Sequence, residues 1–276
     1  MNNILIIARK EVQEGLRNRW VFATTLLLAA LALTLTFLGS APTGNVGANA
    51  LDVVIVSLSS LTIFLVPLIA LLISHDAIVG EVERGTMLLL LSYPVGRWQV
   101  LAGKFLGHLG ILAFATLLGY GAAGAALATM GGIVEGGSLV AFAKMILSSI
   151  ILGAVFIAIG YFVSALVRER STAAGVAIGV WLLFVLIYDM ALLGGLLVSQ
   201  DGIFARTIFP WLLLLNPADA FRVYNMAAVD GSLLQTGLGT GASGLPLEGG
   251  SVLLSPVLWC FAALGLATLA FRRVTP

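Results

Sequence analysis

The side chains that could do chemistry in this chain are few and far apart in the sequence. His75 and His108 could act as general bases and Ser243 as a nucleophile, whereas the single cysteine, Cys260, lies inside an apolar run. A nucleophile needs its base within hydrogen-bond reach, and a zinc-type site needs a cluster of His and Cys ligands. The sequence has no Cys-x-x-Cys pair, no clustered methionines and no Gly-x-x-x-x-Gly-Lys-Ser/Thr phosphate loop. We therefore expect no catalytic residue, no metal and no cofactor on this chain.

Asp189 is a different kind of candidate, because it lies within an apolar run. An ionisable group at membrane depth is a candidate for a transport pathway. It could instead be hydrated at the outer interface or paired with Lys144, and the sequence leaves these alternatives open. A transporter driven by protons or sodium usually carries more such groups, which disfavours that class.

Membrane helices must position these residues. The 276-residue chain is 60% hydrophobic and 10% charged, with a mean hydropathy of +1.09, whereas a soluble domain carries about 25% charged residues. A run of about 20 apolar residues spans a bilayer core. Six such runs occur, at about 20–38, 53–74, 105–130, 139–167, 172–198 and 252–271. The sequence therefore predicts an all-α integral membrane protein with six transmembrane helices.

The topology follows from the charges. An even number of spans puts both termini on one side, and 11 of the 14 basic residues fall on that side. Positive charge marks the cytoplasmic side, so we expect both termini in the cytoplasm. Ser243 then lies outside and both histidines lie near the inner face, about 30 Å away, which excludes a Ser–His enzyme. The net charge of +1 suggests no nucleic-acid partner.

Residues 1–19 are predicted to form an amphipathic helix along the cytoplasmic interface. Apolar side chains from Ile4 to Leu16 recur near helical spacing between charged ones. Its candidate interface residues are Lys10, Glu11, Arg17 and Arg19. The first apolar run exceeds the usual ~7–15 residues of a signal peptide, so we expect it to be a permanent anchor.

Residues 20–276 form the predicted six-helix domain, with a cytoplasmic loop at 75–104 and a long outer segment at 199–251. Within the outer segment, the apolar residues 203–215 are too few for a span and are broken by Pro210. They could form a re-entrant hairpin or an outward cap, while residues 237–250 resemble a flexible loop.

Small residues recur at four-residue spacing in two places, Gly103 to Gly107 and Gly175 to Gly179. Such patterns allow helices to approach closely. Pro67 is expected to kink the second span.

The loop between the second and third spans combines charge with a run of leucines, in the order GEVERGTMLLLLSYPVGR followed by Gly103-Lys104. This order resembles the corresponding loop of ABC-2 type permeases, and the six-span count agrees with that family. The resemblance implies a coupling helix that docks a separate cytoplasmic ABC ATPase, which would bind the ATP and Mg. The implied coupling residues are Gly80, Glu81, Glu83, Arg84, Gly85, Thr86, Pro94 and Arg97, with Glu81, Glu83 and Arg84 facing the ATPase.

The family resemblance also implies a second copy of the chain and a bacterial inner-membrane location. The stretch from Asn216 to Arg222 and the overall length are most similar to permeases that serve copper-centre assembly in nitrous oxide reductase. That similarity implies a periplasmic copper-handling partner and a substrate linked to copper or sulfur. Two other functions stay open: a proton-coupled or facilitative transporter with Asp189 on its path, and a membrane scaffold.

Overall fold

The computed structural model describes residues 3–17, 19–39, 50–129, 136–198, 202, 204–227 and 249–274, and within these ranges it contains helices and no strand. The expected all-α class is confirmed. The predicted loop at 237–250 lies outside the described residues except for its last two. The helices are α1 (Asn3–Leu16), α2 (Arg19–Gly39), α3 (Ala50–Ser74), α4 (Val79–Glu83), α5 (Thr86–Ser92), α6 (Arg97–Thr129), α7 (Gly136–Leu166), α8 (Arg170–Leu182), α9 (Tyr188–Val198), α10 (Phe209–Leu215), α11 (Pro217–Ala227) and α12 (Leu254–Arg273).

Short irregular helices join some of these elements. Leu183–Ile187 and Phe204–Ile208 are π-helical, and Gly249–Leu253 is a 3-10 helix. α8, the first π-helical segment and α9 follow one another without a break, so they form one continuous helix.

Five helical stretches are long and apolar enough to cross a membrane, and they cover the second to sixth predicted runs: Val53–Glu83, Arg97–Thr129, Gly137–Leu166, Arg170–Val198 and Gly249–Arg273. The first predicted run falls within α2. The pair formed by Asn3–Leu16 and Val21–Phe37 passes the same test with a bend of 70°, which brings the number to six if the pair is one span. The structure thus supports a multi-pass membrane protein.

The fourth predicted span, α7, is the centre of the bundle. Residues 152–161 of this helix are all buried, as expected for a helix that is apolar on every side. α3 and α12 pack against α7, while α1 and α2 pack against α6. Pro67 lies buried inside α3, and the Trp181 indole donates to the Phe64 carbonyl in the same turn at 2.9 Å.

Residues 204–227 form a helical hairpin whose turn is Asn216. The Asn216 amide donates to the Phe184 carbonyl at 2.8 Å, and the Trp259 indole donates to the Leu215 carbonyl at 2.7 Å. Phe184 lies midway along the fifth span, so the tip of the hairpin reaches the middle of the bundle. Neighbouring helices satisfy its backbone there, as buried irregular backbone requires. This depth favours the re-entrant alternative over an outward cap.

Candidate functional site

Two short helices, α4 and α5, carry the segment between the second and third spans, with Arg84 and Gly85 between them. Gly85 has a φ of 70°, a left-handed conformation that glycine adopts without the steric cost of a Cβ. Arg84 Nε donates to the Gly80 carbonyl at 2.8 Å, and the Thr86 hydroxyl donates to the Glu81 carbonyl at 3.2 Å. These two hydrogen bonds and the left-handed glycine therefore keep the turn between α4 and α5 tight.

The outer surface of this turn is charged. Glu83, Arg84 and Thr86 are exposed. The Glu83 carboxylate also accepts the backbone N–H of Arg170 at 2.8 Å, at the start of α8, where the helix dipole favours negative charge. Arg170 in turn pairs with Asp76 at 2.6 Å. The turn is thus exposed on one side and fixed to the fifth span on the other.

Glu81 lies on the inner side of α4 and belongs to a buried charge cluster of Glu11, Glu81 and Lys104. Lys104 Nζ is 2.8 Å from Glu11 Oε1 and 2.7 Å from Glu81 Oε1, and only 4% of the Lys104 side chain is exposed. The second oxygen of Glu81, Oε2, is buried with no hydrogen-bond partner among the described residues. The expectation that Glu81 faces a partner subunit is therefore wrong, because its carboxylate is turned inward to pair with Lys104.

The buried charge cluster joins three parts of the chain, since its members lie on α1, α4 and α6. Burial alone would raise the pKa of Glu11, but the Lys104 ammonium outweighs this effect and holds that pKa below its ordinary value of 4.5. Glu11 is therefore ionised at neutral pH. Lys10, half exposed, adds a weaker cation 3.9 Å from Glu11 and 4.0 Å from Glu81.

Glycines on α6 bring α1 close enough for these ion pairs to form. A Cβ at Gly103 would lie 2.7 Å from the Ile7 Cβ, and one at Gly107 would lie 2.4 Å from the Glu11 Cβ. The first small-residue pattern thus serves close packing, as predicted. In the second pattern, a Cβ added at Gly175 or Gly179 would meet no atom of another described helix within 4 Å.

The predicted interface residues of α1 differ in exposure. Glu11 is buried, whereas Lys10 is about half exposed and Arg17 and Arg19 are exposed. The apolar Leu5, with 59% of its surface exposed, lies on a face that α6 does not cover. The location of α1 at a lipid interface stays a prediction.

Arg97 ties the other end of the segment to the last span. Its Nη1 donates to the backbone carbonyls of Phe271 at 2.6 Å and Val274 at 2.9 Å, and its guanidinium carbon lies 5.5 Å from the centre of the Phe271 ring. The Phe271 carbonyl lies in the last turn of α12 and also accepts the backbone N–H of Val274, the residue that follows the helix, at 3.3 Å. Pro94 is exposed just before this contact.

Asp189 is not paired with Lys144, which is exposed. It pairs with Arg222 of the hairpin at 2.6 Å, and Arg222 also pairs with Asp219 at 2.7 Å. Asn216 donates to the other oxygen of Asp219 at 2.8 Å. Sequence reasoning missed this partner, although it had singled out the stretch from Asn216 to Arg222. A pathway role for Asp189 stays a prediction.

The described residues contain no group of three His, Cys, Asp or Glu side chains that could hold a metal ion. His108 is used otherwise: its Nδ1 is 2.8 Å from the Tyr161 hydroxyl, and its Nε2 is 3.6 Å from Glu11.

Comparison with known proteins shows the family to which the chain belongs. The profile of the family described as "ABC-2 family transporter protein" matches residues 5–275. The chain is 48% identical over 274 residues to a protein of Stutzerimonas stutzeri named "Probable ABC transporter permease protein NosY", covering 99% of each chain. It is also 48% identical over 268 residues to a protein of the same name from Pseudomonas aeruginosa, covering 97% of each chain.

Proposed function

Because the chain belongs to the ABC-2 family of transporter proteins, and so is a membrane subunit of an ABC transporter, we propose that it couples ATP hydrolysis by a separate cytoplasmic ATPase to work across the membrane. The ATPase, which binds the ATP and Mg, docks on the exposed surface of the α4–α5 turn. Both termini lie in the cytoplasm, and the membrane is the bacterial inner membrane.

The observation that carries this proposal is that hydrogen bonds and ion pairs hold the inner side of the α4–α5 turn, while its outer side is exposed. Glu83 contacts the start of α8, and Glu81 pairs with Lys104 of α6. Lys104 also pairs with Glu11 of α1, and Arg97 at the start of α6 contacts the end of α12. If a partner displaces the turn, these ion pairs and hydrogen bonds transmit the movement to α1, α6, α8 and α12. An ordinary connecting loop has no need of such contacts.

A second copy of the chain completes the transporter in this proposal. The outward surface of α8 supports it, since Gly175, Val176, Ile178 and Gly179 are all exposed in the single subunit. Small residues on an exposed membrane helix suit close contact with another helix. We propose that α8 pairs with its counterpart in the second copy.

The resemblance to NosY permeases supports a role in assembling the copper centre of nitrous oxide reductase. In this proposal the ATPase is NosF-like, and a NosD-like periplasmic copper-handling protein docks on the outer loops. The cargo or product of the cycle is then linked to copper or sulfur supply.

Co-purification with a co-expressed NosF-like ABC ATPase tests the coupling proposal. The double charge reversal Glu83→Arg with Arg84→Glu keeps the net charge and reverses both exposed charges of the turn. It also removes the hydrogen bonds from Arg170 to Glu83 and from Arg84 to Gly80, so we expect it to abolish co-purification and transport-linked ATP hydrolysis. The control is Arg9→Glu with Glu14→Arg, which reverses two exposed charges of α1 on the same side of the membrane.

Two results would contradict the coupling proposal. One is that the Glu83→Arg, Arg84→Glu variant still co-purifies with the ATPase and keeps the same ATPase activity as the control variant. The other is substrate movement by the purified chain alone, in liposomes under a proton gradient, which would favour a secondary transporter.

A further inference from the structure

A cavity of about 860 Å³ opens at the end of the bundle that carries α4. Its walls come from α4 and the turn before it, from the end of α7 and from the end of α12. Most of this wall is apolar, including Val79, Val82, Phe162, Leu266 and Leu269. Leu266 and Leu269 are also 50% and 56% exposed on the outside of a predicted span. The apolar wall therefore continues onto a surface that faces lipid tails.

Three arginines line the same cavity: Arg168, Arg272 and Arg273. No acidic residue lines it, and none of the three forms an ion pair within the described part of the chain. The carbonyls that end α12 are already satisfied by Arg97. The cavity is thus bordered by three cations that no carboxylate of the described residues neutralises, which favours an anionic ligand.

Ser164 provides a buried polar group at the cavity wall, with 1% of its surface exposed. Its oxygen accepts the backbone N–H groups of Ile78 at 3.0 Å and Val79 at 3.1 Å. A hydroxyl has two acceptor positions and one proton to donate. Both acceptor positions are occupied, which fixes the turn before α4 against α7 at the inner end of the cavity.

We propose that this cavity binds one anionic phospholipid from the leaflet on the side of the termini. The phosphate lies between the three arginines, and an acyl chain follows Leu266 and Leu269 into the bilayer. Basic pockets between membrane helices are suited to acidic headgroups, and the apolar wall requires a ligand with a tail. The inference rests on the proposed function only for naming that leaflet the cytoplasmic one.

The test uses native mass spectrometry of the full-length purified chain after delipidation, with phosphatidylglycerol or phosphatidylethanolamine added back at equal concentration. We expect one phosphatidylglycerol to be retained in preference to phosphatidylethanolamine. Each Arg→Gln change should weaken retention about fivefold, and Arg168→Gln, Arg272→Gln and Arg273→Gln together roughly 100-fold. The control, Arg9→Gln with Arg17→Gln and Arg19→Gln, removes the same charge from exposed sites and should retain the lipid.

A second variant tests the tail without altering charge. Ala270→Trp places a large apolar side chain in the cavity and should also displace the lipid, with size-exclusion elution as the check on folding. Inorganic phosphate should not compete, because it has no tail.

Three outcomes would overturn the proposal. The first is equal retention of the two lipids, and the second is displacement of the lipid by inorganic phosphate at millimolar concentration. The third is that the triple arginine variant retains the lipid but no longer co-purifies with the ATPase. The last would assign the arginines to the ATPase. Loss of ATPase binding in the Glu83 and Arg84 variant, measured separately, distinguishes failure of this proposal from failure of the coupling proposal.

Discussion

Replacing Lys104 with methionine removes the ammonium that lies between the buried carboxylates of Glu11 and Glu81. Methionine is similar in length and is apolar, so it largely preserves the packing between α1 and α6. The perturbation is therefore mainly electrostatic, and it leaves two carboxylates that are each 7% exposed.

The expected loss of stability can be estimated from the geometry. Breaking a buried ion pair by removing one partner costs about 3–5 kcal/mol. Lys10 stays 3.9 Å from Glu11 and 4.0 Å from Glu81, and a half-exposed pair of this kind returns up to about 1 kcal/mol. We expect a net loss of about 3 kcal/mol, which lowers the apparent Tm by roughly 6–12 °C for a chain of this size.

The assay is thermal unfolding of the purified protein in detergent, followed by size-exclusion chromatography. Lys10→Met is the matched control and should cost less than about 1 kcal/mol, because its ion pairs are longer and partly solvated. The triple variant Glu11→Gln, Glu81→Gln, Lys104→Met should recover at least half of the lost stability, since a neutral cluster has no buried charge to compensate.

Two results would refute this reasoning. If Lys104→Met costs no more than Lys10→Met, the ammonium contributes nothing beyond a surface pair. If the triple variant is no more stable than Lys104→Met, the loss comes from packing and the electrostatic account fails.

Three further predictions concern other contacts. Gly107→Ala should cost at least about 2 kcal/mol of stability because the added Cβ overpacks against Glu11. Gly121→Ala on the same helix should be neutral or stabilising, because a Cβ there meets no atom within 4 Å. Equal Tm values for the two variants would contradict the packing account. Arg222→Met should cost about 3 kcal/mol because it leaves Asp189 and a second carboxylate without their cation, and Arg222→Lys should restore part of it; a stable Arg222→Met variant would refute the ion-pair assignment. Because the folded-state pKa of Glu11 is lowered, its stabilising contribution is complete above pH 4.5 and is lost as the pH falls through the folded-state value. The Tm difference between wild type and Glu11→Gln should therefore narrow in a pH series below 4.5, and a constant difference would contradict the lowered pKa.

The α4–α5 segment was predicted only in part from the sequence. Its order of charge, glycine and leucines predicted a distinct cytoplasmic element, and the structure contains α4, a left-handed glycine and α5 at that place. The opposite orientations of Glu81 and Glu83 were not predicted. They lie two positions apart in the sequence, and the side of a five-residue helix that faces inward depends on the helices packed against it.

The sequence by itself determined the all-helical membrane class and the approximate positions of the spans. These are local properties, since about 20 consecutive apolar residues are sufficient to cross a bilayer. The charge bias likewise predicted the side of the termini from the residues flanking each span.

Only the tertiary structure decided which charges meet. Lys104 pairs with Glu11 across 93 residues, Asp189 pairs with Arg222 across 33, and Arg97 reaches Phe271 across 174. No spacing rule relates such residues, because each contact depends on how whole helices pack around α7. The ion pairs and hydrogen bonds around the α4–α5 segment therefore arise from tertiary packing. The helices that they join are determined by local sequence.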